Sequence, residues 1–204
     1  ILAVDSSRTS PASGHLGFVQ GLLREVAYST LSRRDRQQRH LAAARYFESL
    51  DDAELAGLVA SHYLDAYRAA PDGPDSANAA VLARTALASA AERSIALHAN
   101  VAAVTFIEQA LTVTEDPEER ARLWVMAGVP AWASVDVEHG GDYLKRAIGW
   151  YRSNGRPAEA DDALVILATM QAHTAGAAEV LAQLEEAVSR IDDDAALARA
   201  PRLL

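Results

Sequence analysis

Trp124-Val-Met-Ala-Gly-Val-Pro-Ala131, followed by Gly140-Gly-Asp-Tyr-Leu-Lys-Arg-Ala147, carries the pattern that decides the fold. Trp124, Ala127, Gly128 and Ala131 recur at three- and four-residue spacing, as do Gly140, Leu144 and Ala147, so each set occupies one face of a helix. Small residues at 128 and 140 allow two helices to approach closely, and the large residues at 124 and 144 fill the space beside that crossing. The same frame moved upstream selects Leu87, Ala90, Ala91 and Ser94, then Ala103, Ile107 and Ala110. Moved downstream it selects Leu164, Leu167, Ala168 and Gln171, then Val180, Leu184 and Ala187.

This spacing is that of the tetratricopeptide repeat, W-x-x-L-G-x-x-Y and then A-x-x-x-F-x-x-A, with several identities degenerate. Equivalent alanines at 110, 147 and 187 are 37 and 40 residues apart, which exceeds the usual ~34 and implies longer loops. Three such units reach the minimum that buries a continuous core. The expectation is therefore all-α: a right-handed α-solenoid of tetratricopeptide-like helical hairpins over 51–204. Helices are predicted over 20–31, 36–49, 53–69, 77–98, 101–114, 117–132, 140–153, 157–173 and 177–191, and a short strand or turn over 15–19.

Local signals agree with this frame. Ser32-Arg-Arg-Asp35 and Asp51-Asp-Ala-Glu54 read as capping boxes. Asp116-Pro117-Glu-Glu119 supplies an N-cap, a proline at the first helical position and an acid at the third. Pro71-Asp-Gly-Pro-Asp75 and Asn154-Gly155 read as stops. Pro130 stands against a straight helix, since a proline inside a helix kinks or ends it.

Composition narrows the class. The 204 residues are 50% hydrophobic, yet only 6% are aromatic, and no cysteine is present. An interior closed by many alanines favours packed helices over a sheet. Disulfides, thiolate zinc sites and cysteine nucleophiles are excluded, and a reducing, cytoplasmic setting is the expectation. No apolar run approaches the roughly 20 residues of a membrane-spanning helix, so no membrane partner is expected. The opening Ile1-Leu2-Ala3, with methionine only at 126 and 170, reads as the start of a piece of a longer protein. Residues 1–50 carry a formal charge of +3 and residues 51–204 one of −12, which disfavours nucleic acid as a partner.

Nothing in the sequence has the spacing of a catalytic centre. The histidines at 15, 40, 62, 98, 139 and 173 contain no pair at i, i+4, so a metal site would need ligands from distant elements. His62, beside Tyr63 in an alanine-rich helix, reads as a half-buried packing residue with a local hydrogen bond. Neither a phosphate-binding lysine loop nor a G-x-G-x-x-G turn is present. The basic run Arg33 to His40 lacks interleaved aromatics and reads as a solvated face. Paired acids at 161–162, 185–186 and 192–194 point about 100° apart on a helix and do not form acid/base pairs. No enzymatic activity and no cofactor are expected of these residues.

Binding is the remaining reading. In a tetratricopeptide array the first helix of each hairpin lines the concave surface. Its second, fifth, ninth and twelfth positions select Arg122, Val125, Val129 and Trp132. The flanking hairpins place Glu92 and Ile95, and Asp162, Val165, Thr169 and His173, on the same surface. The candidate groove is thus Glu92, Arg122, Val129, Trp132, Asp162 and His173, with Trp132 weighed equally as a packing residue. Trp124 is expected in the core, and Trp150 or Tyr151 against the next hairpin.

Phe18-Val-Gln-Gly-Leu-Leu-Arg-Glu-Val-Ala-Tyr28, Arg36-x-x-Arg-His-Leu-Ala-Ala-Ala-Arg-Tyr-Phe-Glu48 and Leu55-Ala-Gly-Leu-Val-Ala-Ser-His-Tyr63 resemble a segment of large actinobacterial multidomain regulators. Those proteins combine an adenylate cyclase-like domain, a STAND-type ATPase domain and a tetratricopeptide-like C-terminal region. The resemblance implies that residues 1–50 hold a winged-helix remnant and connecting helices, and that 51–204 are the repeat region. It further implies a non-catalytic regulatory or scaffold module of an ATP-dependent signalling protein. Its partner would be a protein, a peptide, the parent's own ATPase domain or a second copy in a homodimer. The alternative is a stand-alone helical enzyme or cofactor-binding domain with dispersed site residues.

Overall fold

The computed structural model describes residues 2–4, 16–18, 21–134 and 137–172, with side chains described over 25–134 and 139–172. The chain is all-α in class. Two three-residue strands, β1 (Leu2–Val4) and β2 (Leu16–Phe18), pair antiparallel with Leu2 opposite Phe18. Eight α-helices follow among the described residues: α1 Gly21–Ser29, α2 Arg33–Glu48, α3 Ala56–Ala69, α4 Ser76–Ala96, α5 Asn100–Thr112, α6 Pro117–Ala133, α7 Val137–Ser153 and α8 Pro157–Ala172. A single 3₁₀ turn, Ala53–Leu55, leads into α3. The predicted helix over 177–191 lies outside the described residues.

The caps explain the starts. Ser32 Oγ accepts from the Asp35 amide at 3.1 Å and donates to the Asp35 carboxylate at 2.7 Å, so the shorter Asp closes this box by accepting from the cap hydroxyl. Asp116 accepts from the Glu119 amide at 2.8 Å, with Pro117 in the first turn. The second box is displaced by one residue from the sequence reading. Asp52, rather than Asp51, caps the turn by accepting from the Glu54 amide at 2.8 Å, while Asp51 takes a left-handed φ of 49° that ends the preceding helix segment. Asp tolerates that region better than most side chains.

From α2 onward each helix packs chiefly on its sequence neighbours, α2 on α3 through α7 on α8, with α6 also reaching α8. Two apolar clusters result. One joins Ala44 of α2 to Ala60, Leu64, Leu87, Ile107 and Ala127 across α2 to α6. The other joins Ala121 of α6 to Leu144, Ala147, Tyr151, Ala160 and Leu167. Burying each of these Leu or Ile side chains contributes about 1.5–3 kcal/mol.

The repeat frame coincides with burial. Leu87, Ala91, Ala103, Ile107, Ala110, Ala127, Leu144, Ala147 and Ala168 are each fully buried. Trp124 and Gln171 are half-buried. At the α6–α7 crossing the two glycines are required by contact: a Cβ on Gly128 would lie 2.6 Å from Leu144, and one on Gly140 would lie 2.7 Å from the Gly128 carbonyl oxygen. Pro130 does not end α6. Its ring is fully buried and the helix runs three residues further, to Ala133.

Candidate functional site

The groove residues are distributed over three helices. Glu92 is exposed on α4 and, among the described residues, forms no hydrogen bond or ion pair. Arg122 is exposed on α6, where it is held by Glu118 at 2.6 Å and Glu119 at 3.2 Å on the same helix. Val129 is 47% exposed. Asp162 is exposed on α8. Trp132 is half-buried against the second apolar cluster, and its backbone meets the position a Gly140 Cβ would take. It therefore combines packing with partial exposure. Ile95, Val125 and Val165 are half-buried and Thr169 is exposed; His173 lies outside the described residues.

An ionic network ties the α6 part of this face to the start of α8. Arg156 donates to Glu118 at 3.0 Å and to Glu159 at 2.5 Å, so Glu118 is shared between Arg156 and Arg122. These two acceptors hold the Arg156 guanidinium more firmly protonated than usual. Tyr151 lies beneath the network, and its burial raises its phenol above the ordinary value. Trp150 meets Tyr151 edge-on, with ring centroids 5.4 Å apart, and Tyr151 is packed with α8 residues in the second cluster.

A second set of polar side chains was not legible as a group in the sequence. His40 of α2 and His62 of α3 meet Nδ1 to Nδ1 at 3.1 Å. His40 Nε2 is 2.9 Å from the Tyr28 hydroxyl of α1. Phe47 stacks on His62, the rings 6° from parallel and 5.6 Å apart. Arg36 lies 5.3 Å over the Tyr28 ring and donates to the Leu31 carbonyl at 3.1 Å. His62 is thus half-buried as expected, but its hydrogen bond spans 22 residues instead of being local. The basic run is likewise divided: Arg33, Arg34 and Arg39 are solvated, whereas Arg36 and His40 turn toward α1 and Gln37 is buried.

Burial pushes the His40 imidazole below its ordinary value; Asp65 opposes this and His62 adds to it. At this distance one Nδ1–H donates and the other Nδ1 accepts. The arrangement is a hydrogen-bonded clasp between α1, α2 and α3. Among the described residues no group of three or more His, Asp or Glu could hold a metal ion, and no helix is long and apolar enough to cross a membrane.

Two of the clefts among the described residues open between helices. One, of about 380 Å³, lies between the end of α2, the 51–55 turn, α3 and α4. The other, of about 450 Å³, is bordered by the 71–76 turn, α4 and the segment 112–116. The first is bordered by the carboxylates of Glu48, Asp51 and Asp52, and the second by those of Asp72, Glu115 and Asp116. Comparison with known protein families, with curated proteins and with solved structures returns no match for this chain.

Proposed function

We propose that the chain is a non-catalytic binding module: a right-handed, tetratricopeptide-like α-solenoid that belongs to a larger ATP-dependent signalling protein. The observation that carries this reading is the α6–α7 crossing, where Gly128 and Gly140 stand at the two small positions of the repeat and Leu144 fills the space beside them. Neighbour-on-neighbour stacking of helical hairpins supports it, because such arrays leave one continuous face free for a partner. Glu92, Arg122, Val129, the exposed part of Trp132 and Asp162 would form that face.

The sequence resemblance supplies the context. Residues 1–50 would hold the winged-helix remnant and the helices that connect the array to an ATPase domain, in a cytoplasmic protein. A protein or peptide, or the ATPase domain itself, would be the occupant. Signalling would then consist of a change in how the array engages that occupant, with phosphoryl chemistry performed elsewhere in the parent.

The test has two arms. Calorimetric titration of the 204-residue chain with MgATP is expected to show no saturable binding, since the phosphate loop, lysine and metal carboxylates are not in this sequence. The parent protein lacking residues 51–204 is expected to keep nucleotide turnover and lose its response to a partner. Micromolar binding at one site by the chain alone, or an unaltered response in the shortened parent, overturns the reading.

A further inference from the structure

The 380 Å³ cleft at the end of α2 joins an apolar wall to an acidic rim. Phe47 and Leu82 are half-buried on the wall, with Val59 beneath them. Glu48, Asp51 and Asp52 stand on the rim, all exposed, and among the described residues none forms an ion pair. The carboxylates are also positioned. The buried Tyr63 hydroxyl donates to Glu48 Oε2 at 2.8 Å, and Asp52 is fixed as the cap of the turn. Burial, together with the Glu48 contact, raises the Tyr63 phenol and keeps it a donor.

Three carboxylates against an apolar wall, two of them in the segment 51–204 whose net charge is −12, are complementary to a chain that carries positive charge beside an apolar residue. The long stems of lysine and arginine lie on apolar surface while their heads reach a polar rim. We propose that this cleft docks a short basic segment of a partner protein, with an apolar side chain on Phe47, Val59 and Leu82 and a lysine or arginine against Glu48 and Asp51. The proposal rests on the binding-module reading and gives the partner its chemistry. It also sets the point of contact at the α2–α3 junction, behind which Phe47 stacks on His62.

The experiment uses the full chain, isotope-labelled, and acetylated, amidated octapeptides in which two arginines are flanked by leucines at one or two residues' distance. Matched peptides carry glutamine or glutamate in place of arginine. The arginine peptides are expected to bind saturably and to shift amides within 47–63 and 82–89. Glutamine peptides should bind about tenfold more weakly, and glutamate peptides should not bind. Glu48→Gln and Asp51→Asn should each weaken arginine-peptide binding about threefold, and together about tenfold, with the difference shrinking as salt is raised. Both variants keep the fold: Gln can accept from Tyr63, and Asn tolerates the left-handed φ at 51. Equal binding of arginine and glutamine peptides, or no arginine-peptide binding to millimolar concentration, overturns the proposal. Shifts confined to Glu92, Val129 and Asp162 also overturn it while leaving the module reading intact, which stands or falls on the shortened parent.

Discussion

His40 and His62, 22 residues apart in sequence, meet Nδ1 to Nδ1 in a 3.1 Å hydrogen bond. The contact joins α2 to α3, and through the other nitrogen of His40 it reaches Tyr28 of α1. It places His40 at the junction between α1 and the helices that follow.

A pH dependence follows. Because the folded His40 has a lowered pKa, the unfolded chain takes up its proton first as pH falls, so stability is lost on acidification. The contribution is fully present above the unfolded value of about 6.5 and declines below it, until the folded group also titrates. Thermal unfolding from pH 7.5 to 5 should show a decrease in Tm that is smaller in His40→Gln. An identical decrease in that variant would show that other groups carry it.

The helix crossing gives an ordered series of substitutions. Gly140→Ala drives a Cβ into the backbone at 128 and 132 and should destabilise by about 3 kcal/mol or more. Gly128→Ala meets only the Leu144 side chain, which can move, and should cost about 1–3 kcal/mol. Gly149→Ala, inside α7 with nothing within 4 Å of the new carbon, should stabilise by about 0.5–1 kcal/mol. Urea unfolding of the three variants checks the order; a reversal of the first and third removes the basis for the close crossing.

Trp132 should act on stability and on binding separately. Because it packs against the second cluster, Trp132→Ala should destabilise by about 2–4 kcal/mol, below the top of the range for a wholly buried tryptophan. Val129→Ala and Arg122→Ala should change stability by about 0.5 kcal/mol or less, as both are exposed. Affinity measured on those two variants therefore reports the groove without the fold. A loss of stability in Val129→Ala as large as in Trp132→Ala would place 129 in the core.

The exposed bridges of Arg156 should matter little to stability despite their geometry. Screening by solvent and the entropy of holding long side chains offset most of the attraction, so Arg156→Ala should be close to neutral in urea unfolding, and more so at high salt. Asp116→Ala, which leaves the Glu119 amide uncapped, should cost about 0.5–2 kcal/mol. The reverse order would mean that the network, rather than the cap, fixes the start of α6.

Alternation of small and large residues at helical spacing was enough, within the sequence, to mark the all-α class, the helix order and most of the buried face. Leu87, Ala91, Ile107, Ala127 and Leu144 are chosen by spacing because burial on a helix repeats every three to four residues, whatever packs against it. Caps such as Ser32 and Asp116 were legible for a similar reason: their bonds close within three residues. The Asp51 or Asp52 choice was not, since both side chains can cap and only the left-handed turn at 51 separates them. Tertiary structure alone decided the meeting of His40 with His62, the division of the basic run and the passage of α6 through Pro130. It also gathered Phe47, Glu48, Asp51, Tyr63 and Leu82 around one cleft. Those outcomes depend on the angle and register at which separate helices dock, and a spacing pattern within one helix carries no information about either.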